Sequence, residues 1–316
     1  MKKIHIKKIS EINKEKLIDF YKKSFQFEHG VLENFNWRYR IGFNKYEPIV
    51  LIIDNQICGH AGLIPTNVKI NNSEHNAIWF TDFFINKNYR SKGYGKLLTE
   101  AWMKICPIQI TLCNENSLRI FKKLNWLNNK KFIRKIKFNN YLSLIPLFRD
   151  LEYSDNLKDL KCLKHLELNN STISKIIEIN DRKQMQQISG ILRDENWFKW
   201  RLIDCPYKRD IYILKFKNEY LVTHLRIKKK LKILNIIYST SAITSEITNV
   251  LLKFLKKNKI DLLAFISNQK DVYDDLIPGQ RNLNFAFYSK ETDILNNLNQ
   301  NFNNIQYIDS DLDYII

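Results

Sequence analysis

The 316-residue sequence has no run of about eighteen apolar residues, so no membrane-spanning helix is expected. Its first sixteen residues carry charge throughout and lack an apolar core segment, which argues against a secretory leader. The five cysteines, Cys58, Cys106, Cys113, Cys162 and Cys205, are odd in number and widely spaced, with no CxxC pair. That pattern suggests neither a disulfide framework nor a zinc site, and leaves free buried thiols in a reducing cytoplasm as the expectation. No metal is expected. Acidic residues are scarce as well: 33 Asp and Glu stand against 51 Lys and Arg. Most of the resulting +18 lies in residues 1–150, with one cluster at Arg119, Lys122, Lys123, Lys130, Lys131, Arg134, Lys135 and Lys137. Such a face can serve nucleic acid, an anionic membrane surface or an anionic small ligand, or can simply be solvated.

What is present is enough for two domains. The chain is too long for one ordinary small domain, and 44% hydrophobic residues let each half bury a core. In the first half Ser10 can cap a helix carrying Leu17, Phe20, Tyr21 and Phe25 on one face. Ile49–Asp54, a polar turn at Asn55-Gln56 and Ile57–Ile64 read as a hairpin, and Ala77–Ile85 reads as a further strand. A helix over about residues 93–105, a short buried strand over 108–113 and a helix over 116–124 follow, with Asn125 suited to a left-handed C-terminal turn. Residues 138–175 read as the boundary. The second half echoes the first: Trp37-Arg38-Tyr39 returns as Trp200-Arg201-Leu202, and the polar turn between two apolar runs returns at Lys217-Asn218-Glu219. A duplicated module accounts for this.

The sharpest local feature runs from Phe80 to Lys96. An aromatic strand enters a turn, Arg90-Ser91-Lys92-Gly93-Tyr94-Gly95, and the turn opens an amphipathic helix. The first amides of a helix have no intrahelical acceptors and sit at the positive end of its dipole, so this geometry binds anions. Gly93 and Gly95 let a phosphate approach the backbone, and Arg90 and Lys92 add charge. A Walker loop is excluded because Leu97 follows Gly95-Lys96 and no glycine lies five positions earlier; a dinucleotide GxGxxG is excluded because Leu98 stands at its third glycine.

The turn fits the acyl-CoA motif of the GNAT acetyltransferases: Arg or Gln, two residues, Gly, one residue, then Gly or Ala. Asn116-Ser117, Phe121–Leu124 and Asn125-Trp126 resemble the family's later motif, and the resemblance covers residues 1–137. It implies an α+β chain of two GNAT-like domains, each a mixed, mostly antiparallel sheet flanked by helices. Residues 1–145 would be the acyl-CoA-binding domain. Residues 146–316 would be a degenerate GNAT-like domain, lacking the glycine turn and shaping the acceptor site or supporting the first. It further implies that the diphosphate of acetyl-CoA, a co-substrate, sits on Ser91, Lys92, Gly93, Tyr94, Gly95 and Lys96. The pantetheine arm would pair with the strand at Phe84 and Ile85, near Asn116.

The implied reaction needs a neutral amine, a donor for the developing oxyanion and a proton for the leaving thiolate. Asp82, a lone carboxylate in an aromatic strand, is the base candidate, though it also suits a substrate or arginine contact. Thr81-Asp82-Phe83-Phe84-Ile85 resembles the Glu-Asp-Phe-Phe-Val segment of polyamine acetyltransferases, with Thr81 replacing the glutamate. The family's proton-donating Tyr falls on Phe121, which leaves Tyr94 or Tyr89, or water. His60 and His75 read as structural more readily than as bases. Trp37, Arg38, Trp200 and Arg201 are either acceptor-site residues or packing anchors. The leading expectation is acyl transfer to a primary amine of a small molecule, such as an amino sugar of a surface-glycan precursor. A tRNA-dependent peptidyl or aminoacyl transferase, for which the basic charge would suit nucleic acid, and a non-catalytic acyl-CoA-binding protein are the alternatives.

Overall fold

The computed structural model describes residues 3–25, 34–139, 157–228, 230–267, 281–302 and 305–309. They form two compact units, Met1–Asn128 with Ala286–Phe302, and Asn129–Phe285 with Asn303–Ile316. The expected boundary between 145 and 146 falls outside the described residues. The first unit ends at 128 and takes back a segment from near the end of the chain. The cause is packing that no local pattern encodes. Ala286 lies in the first unit's core, Tyr288 stacks on Trp126 with ring centroids 5.9 Å apart, and Asn297 donates to the side chain of Asn71 at 2.6 Å.

The first unit contains β1 (Ile4–Lys8), α1 (Lys14–Ser24), α2 (Phe35–Arg38), β2 (Ile49–Ile53), β3 (Gln56–Ile70), β4 (Ser73–Ile85), α3 (Tyr94–Met103), β5 (Ile108–Cys113) and α4 (Glu115–Lys123). Strands β1 to β4 are antiparallel neighbours in chain order, and β5 pairs parallel with β4. Asn13 caps α1, accepting from the amides of Glu15 and Lys16 at 2.9 and 3.2 Å. Ser10 is not the cap: its amide and hydroxyl both go to Glu47. The first hairpin turns at Asp54 and Asn55, one residue earlier than expected, with φ of 48° and 65°. The next turns at Asn71 and Asn72, with φ of 49° and 65°. Two consecutive left-handed residues match the twist of the flanking strands, and Asn and Asp tolerate them best.

Alternation divides β3 and β4 between two faces. One face, with Leu63, Ile78, Phe80 and Ile85, packs on Leu98 and Trp102 of α3 and on Leu118 and Phe121 of α4. The other meets Phe20, Tyr21 and Tyr39. A bulge changes the parity of β4: Gly62 is in register with Thr81 and His60 with Phe84, so Asp82 and Phe83 together oppose Ala61. Asp82 is left-handed there, with φ of 46°.

The second unit contains β6 (Leu127–Phe138, from residue 129), β7 (Lys164–Leu166), α5 (Asn170–Gln186), β8 (Gly190–Leu192), α6 (Glu195–Phe198), β9 (Ile211–Phe216), β10 (Glu219–Lys228), β11 (Leu231–Ser239), α7 (Ser245–Lys257) and β12 (Leu262–Ser267). The strand β13 (Arg281–Ser289) is shared out between the units at 285, and α8 (Thr292–Gln300) belongs to the first. From β7 to β12, apart from β8, the order of elements repeats that from β1 to β5. It even repeats the antiparallel pairing of β7 with β9 and the parallel pairing of β11 with β12. Among the described residues no helix is long and apolar enough to cross a membrane.

Candidate active site

Strands β4 and β5 are in register only over Ala77–Trp79 and Ile108–Ile110. Beyond that point β4 continues to Ile85 without β5, and Thr111 bridges the divergence by donating to the carbonyl of Phe80 at 3.0 Å. The open edge of β4 leads into the glycine turn. Ser91 and Gly93 are both left-handed, with φ of 60° and 82°. Gly93 is the N-cap of α3 and offers no side chain to its first turn, whereas Asn13, Asn114, Asn169 and Thr244 cap α1, α4, α5 and α7 with theirs. A Cβ on Gly93 would meet nothing within 4 Å, and one on Gly95 only Ile85 Cγ1 at 3.9 Å. The protein's own packing does not call for a glycine at 95, and the space above the turn is open. Arg90 folds back so that its Nε donates to the Ile85 carbonyl at 2.9 Å, and Lys92 donates to the Asn88 carbonyl at 2.8 Å.

Beneath the bulge lies a buried polar cluster. Arg38 grips the Asp82 carboxylate with two parallel bonds, Nε to Oδ2 at 2.7 Å and Nη2 to Oδ1 at 2.9 Å, and the Tyr39 hydroxyl donates to Oδ2 at 2.8 Å. The paired side chains are 6% and 3% exposed. Burial alone would raise the Asp82 carboxyl's pKa, but the charge and hydrogen bonds of Arg38 and the bond from Tyr39 outweigh it and hold the group below its ordinary value. His60 Nδ1 lies 2.9 Å from the carbonyl of Asp82, which can only accept, so that nitrogen carries the proton. Nε2 is then the acceptor for the Tyr21 hydroxyl, 2.7 Å away. Burial pushes the His60 pKa down to about 4 and raises those of Tyr21 and Tyr39, so all three are neutral at pH 7.

A lowered histidine pKa has a measurable consequence. The unfolded chain takes up a proton near pH 6.5 that folded His60 refuses until about 4. Stability is therefore fully present above pH 6.5 and is lost as pH falls through about 4. The urea midpoint should fall over that window, and His60→Gln should flatten the fall. An unchanged slope in the variant would remove His60 as its source.

Residues 13–126 match the Acetyltransferase (GNAT) family. The first unit is built on a GNAT domain. The solved structures similar to the chain agree on the fold. A GCN5-related N-acetyltransferase from Kribbella flavida is 11% identical, with a TM-score of 0.59 over 90% of this chain and 71% of that one. A probable N-acyltransferase of unknown function from Enterococcus faecalis is 12% identical, with 0.56 over 90% and 72%. N-myristoyltransferase from Saccharomyces cerevisiae, with bound myristoyl-CoA, is 14% identical, with 0.57 over 90% and 82%. No curated protein matches the chain in sequence.

Within the GNAT domain, the expected residues of the glycine turn, Arg90 to Lys96, come together with Phe84 and Ile85 at the end of β4. Lys96 is exposed and 3.7 Å from Glu100, and Asn116 is exposed in the first turn of α4, whose cap is Asn114. Tyr94 is half-buried and packs against the core. Tyr89 is less available: its hydroxyl is engaged with the Cys58 thiol, which raises its pKa. Phe121 is core, against Phe80 and Trp126. Thr81 is buried opposite Gly62, and His75 lies toward the far end of β4, opposite Val68. Trp37 is half-buried, but Arg38 is committed to Asp82. In the second unit Trp200 and Arg201 are buried, and Arg201 donates to the Ile308 carbonyl at 2.6 Å. The basic cluster is not one solvated face, since Lys135 is only 4% exposed. Cys58, Cys106 and Cys205 are buried as expected, but Cys113 is half-buried and Cys162 exposed. Sequence reasoning missed Tyr21 and Tyr39 as polar partners, because each reads as one more aromatic on an apolar stripe.

Proposed function

We propose that the protein is an N-acyltransferase that moves an acetyl or other short acyl group from coenzyme A to a primary amine of a small molecule in the cytoplasm. The observation that carries the reading is the open turn: Gly95 has room for a Cβ, and the first turn of α3 has no side-chain cap. A diphosphate on the amides of Ser91–Lys96 satisfies both. Arg90 and Lys92 supply charge, the pantetheine arm runs along β4 at Phe84 and Ile85 toward Asn116, and the amine enters beside Trp37 and Thr81. The amine nitrogen forms a bond to the thioester carbonyl, the carbon–sulfur bond breaks, the nitrogen gives its proton to water, and the thiolate takes one from the Tyr94 hydroxyl, which recovers it from water. Asp82, already holding three hydrogen bonds and with a depressed pKa, is a weak base. Its role in this reading is to fix the bulge of β4 against the thioester.

The test is release of free thiol from acetyl-CoA and longer acyl-CoAs over a panel of amines, with amino sugars and nucleotide amino sugars foremost. Amine-dependent release, strongest with short acyl chains and lost on combining Arg90→Ala with Gly93→Val, is the expected result. Buried Phe121, where the family resemblance puts a tyrosine, favours a second reading, a non-catalytic acyl-CoA-binding protein. Tight acetyl-CoA binding without turnover of any amine would establish it. Salt-sensitive tRNA binding with no affinity for CoA would overturn both.

A further inference from the structure

The second unit has a divergence of its own. β11 and β12 are in register only over Ile233–Asn235 and Leu262–Ala264. Past that point β11 follows β10 to Ser239, while β12 follows β6 to Ser267. The strand ends enclose a cavity of about 330 Å³ lined by Ser239, Thr240, Ser241, Ile266, Ser267 and Gln306, among others. The side chain of Gln306 occupies the edge of β11 there. Its Oε1 accepts from the Ser239 amide at 2.6 Å, and its Nε2 donates to the Ser239 carbonyl at 3.1 Å. The Ser239 N–H and C=O thus share one partner, as they would share one residue of a neighbouring antiparallel strand. Gln306 is held in place by its own amide, which donates to Asp309 Oδ2 at 2.8 Å, and Asp309 in turn is paired with the buried Arg193, Nε to Oδ1 at 2.7 Å.

We propose that this cleft is a binding site for a short extended peptide, and that the carboxamide of Gln306 stands in for the N–H and C=O of one peptide residue when the site is empty. Main-chain bonds to an open strand edge supply such affinity, and the cavity lies within the size range of small-ligand sites. The ligand is not a nucleotide. Residues 239–249 contain no glycine, and the first turn of α7 is spent on its own cap, Thr244 Oγ1 accepting from the Ile247 amide at 3.3 Å. A pantetheine arm cannot make the same pair of bonds, because each of its trans amides turns its N–H and C=O to opposite sides, so it serves as the contrasting ligand.

Full-length protein carrying Gly93→Val, which disables the turn of the first unit, is titrated with a capped dipeptide and with free pantetheine. The amide resonance of Ser239 is followed by NMR. Because Gln306 competes with the ligand, removing it raises the competent fraction, and Gln306→Ala should tighten binding about tenfold. Gln306→Asn, which withdraws the carboxamide by one carbon but keeps it polar, should act in the same direction and covers the case in which the alanine variant does not fold. A gain for the dipeptide together with a shift of Ser239 supports the site, and a gain for pantetheine alone overturns it. No gain for either ligand in a folded variant, or binding that leaves Ser239 unmoved, overturns it. Failure here leaves acyl transfer by the first unit untouched, since that activity is measured with Gly93 intact.

Discussion

Gly93→Val should weaken binding of acetyl-CoA about 100-fold while leaving the first unit folded. Gly93 sits at φ of 82°, where an L-residue is strained by roughly 1–2 kcal/mol and a β-branched one by more. Packing does not oppose the change, because a Cβ there would meet nothing within 4 Å. The turn relaxes away from the conformation that aligns its amides, and the new side chain stands where a diphosphate would approach. Loss of two charge-assisted hydrogen bonds at about 1.5 kcal/mol each corresponds to an affinity loss of about 100-fold. The companion Gly95→Ala separates binding from stability. That residue is helical and its Cβ is accommodated, so unfolding should shift upward by up to about 1 kcal/mol from helix propensity. Affinity should nevertheless fall, because the methyl group occupies the approach. Calorimetry with acetyl-CoA and thermal melts of both variants check this. Unchanged affinity in both would remove the turn from the acyl-CoA site.

Asp82→Asn should cost stability before it costs chemistry. Asparagine tolerates the left-handed conformation, so the bulge itself can persist. What changes is the charge facing Arg38, which is 6% exposed and would be left without its carboxylate. Removing one member of a buried ion pair costs about 3–5 kcal/mol, which in a unit of this size lowers the melting temperature by about 10 °C. The double variant Arg38→Met with Asp82→Asn should recover much of that loss. The pH dependence carries the same sign. Because the folded carboxyl is held below its ordinary value, its contribution is fully present above about pH 4 and disappears as acid carries the protein through the lower, folded value. That window lies below the one set by His60, so acid denaturation should show two separable slopes. If Asp82→Asn instead leaves the melting temperature intact and removes only turnover, Asp82 is the base and the lock on the bulge is not its role.

Most of the first unit was legible because its signals are local. The run Ile49–Ile53, the helical face of Leu98 and Trp102, and the left-handed residue at Asn125 are each dictated within a few positions, and φ of 63° at Asn125 follows from it. The glycine turn was legible for the same reason. The extensions of β3 to Ile70 and β4 back to Ser73 were not, since Asn67, Lys69, Glu74 and Asn76 mask an apolar pattern that Val68 and Ile70 keep. Asp82 stood out as the lone acid between Ala77 and Ile85, but its partner Arg38 is 44 residues away and comes to it only through the bulge. Echoes between Trp37-Arg38 and Trp200-Arg201 revealed a repeated order of elements without showing that the two arginines have different partners, a carboxylate in one unit and a backbone carbonyl in the other.

The return of residues 286–302 to the first unit ties its completion to the clock of translation. Domains usually fold as they leave the ribosome, N-terminal first, at about 5–20 residues per second. Here the N-terminal piece must wait, with Trp126 lacking Tyr288 and its core lacking Ala286, until the later unit has been synthesised. At those rates the delay is about 10–30 s. Nascent chains halted shortly after residue 128 are therefore the species most in need of a chaperone.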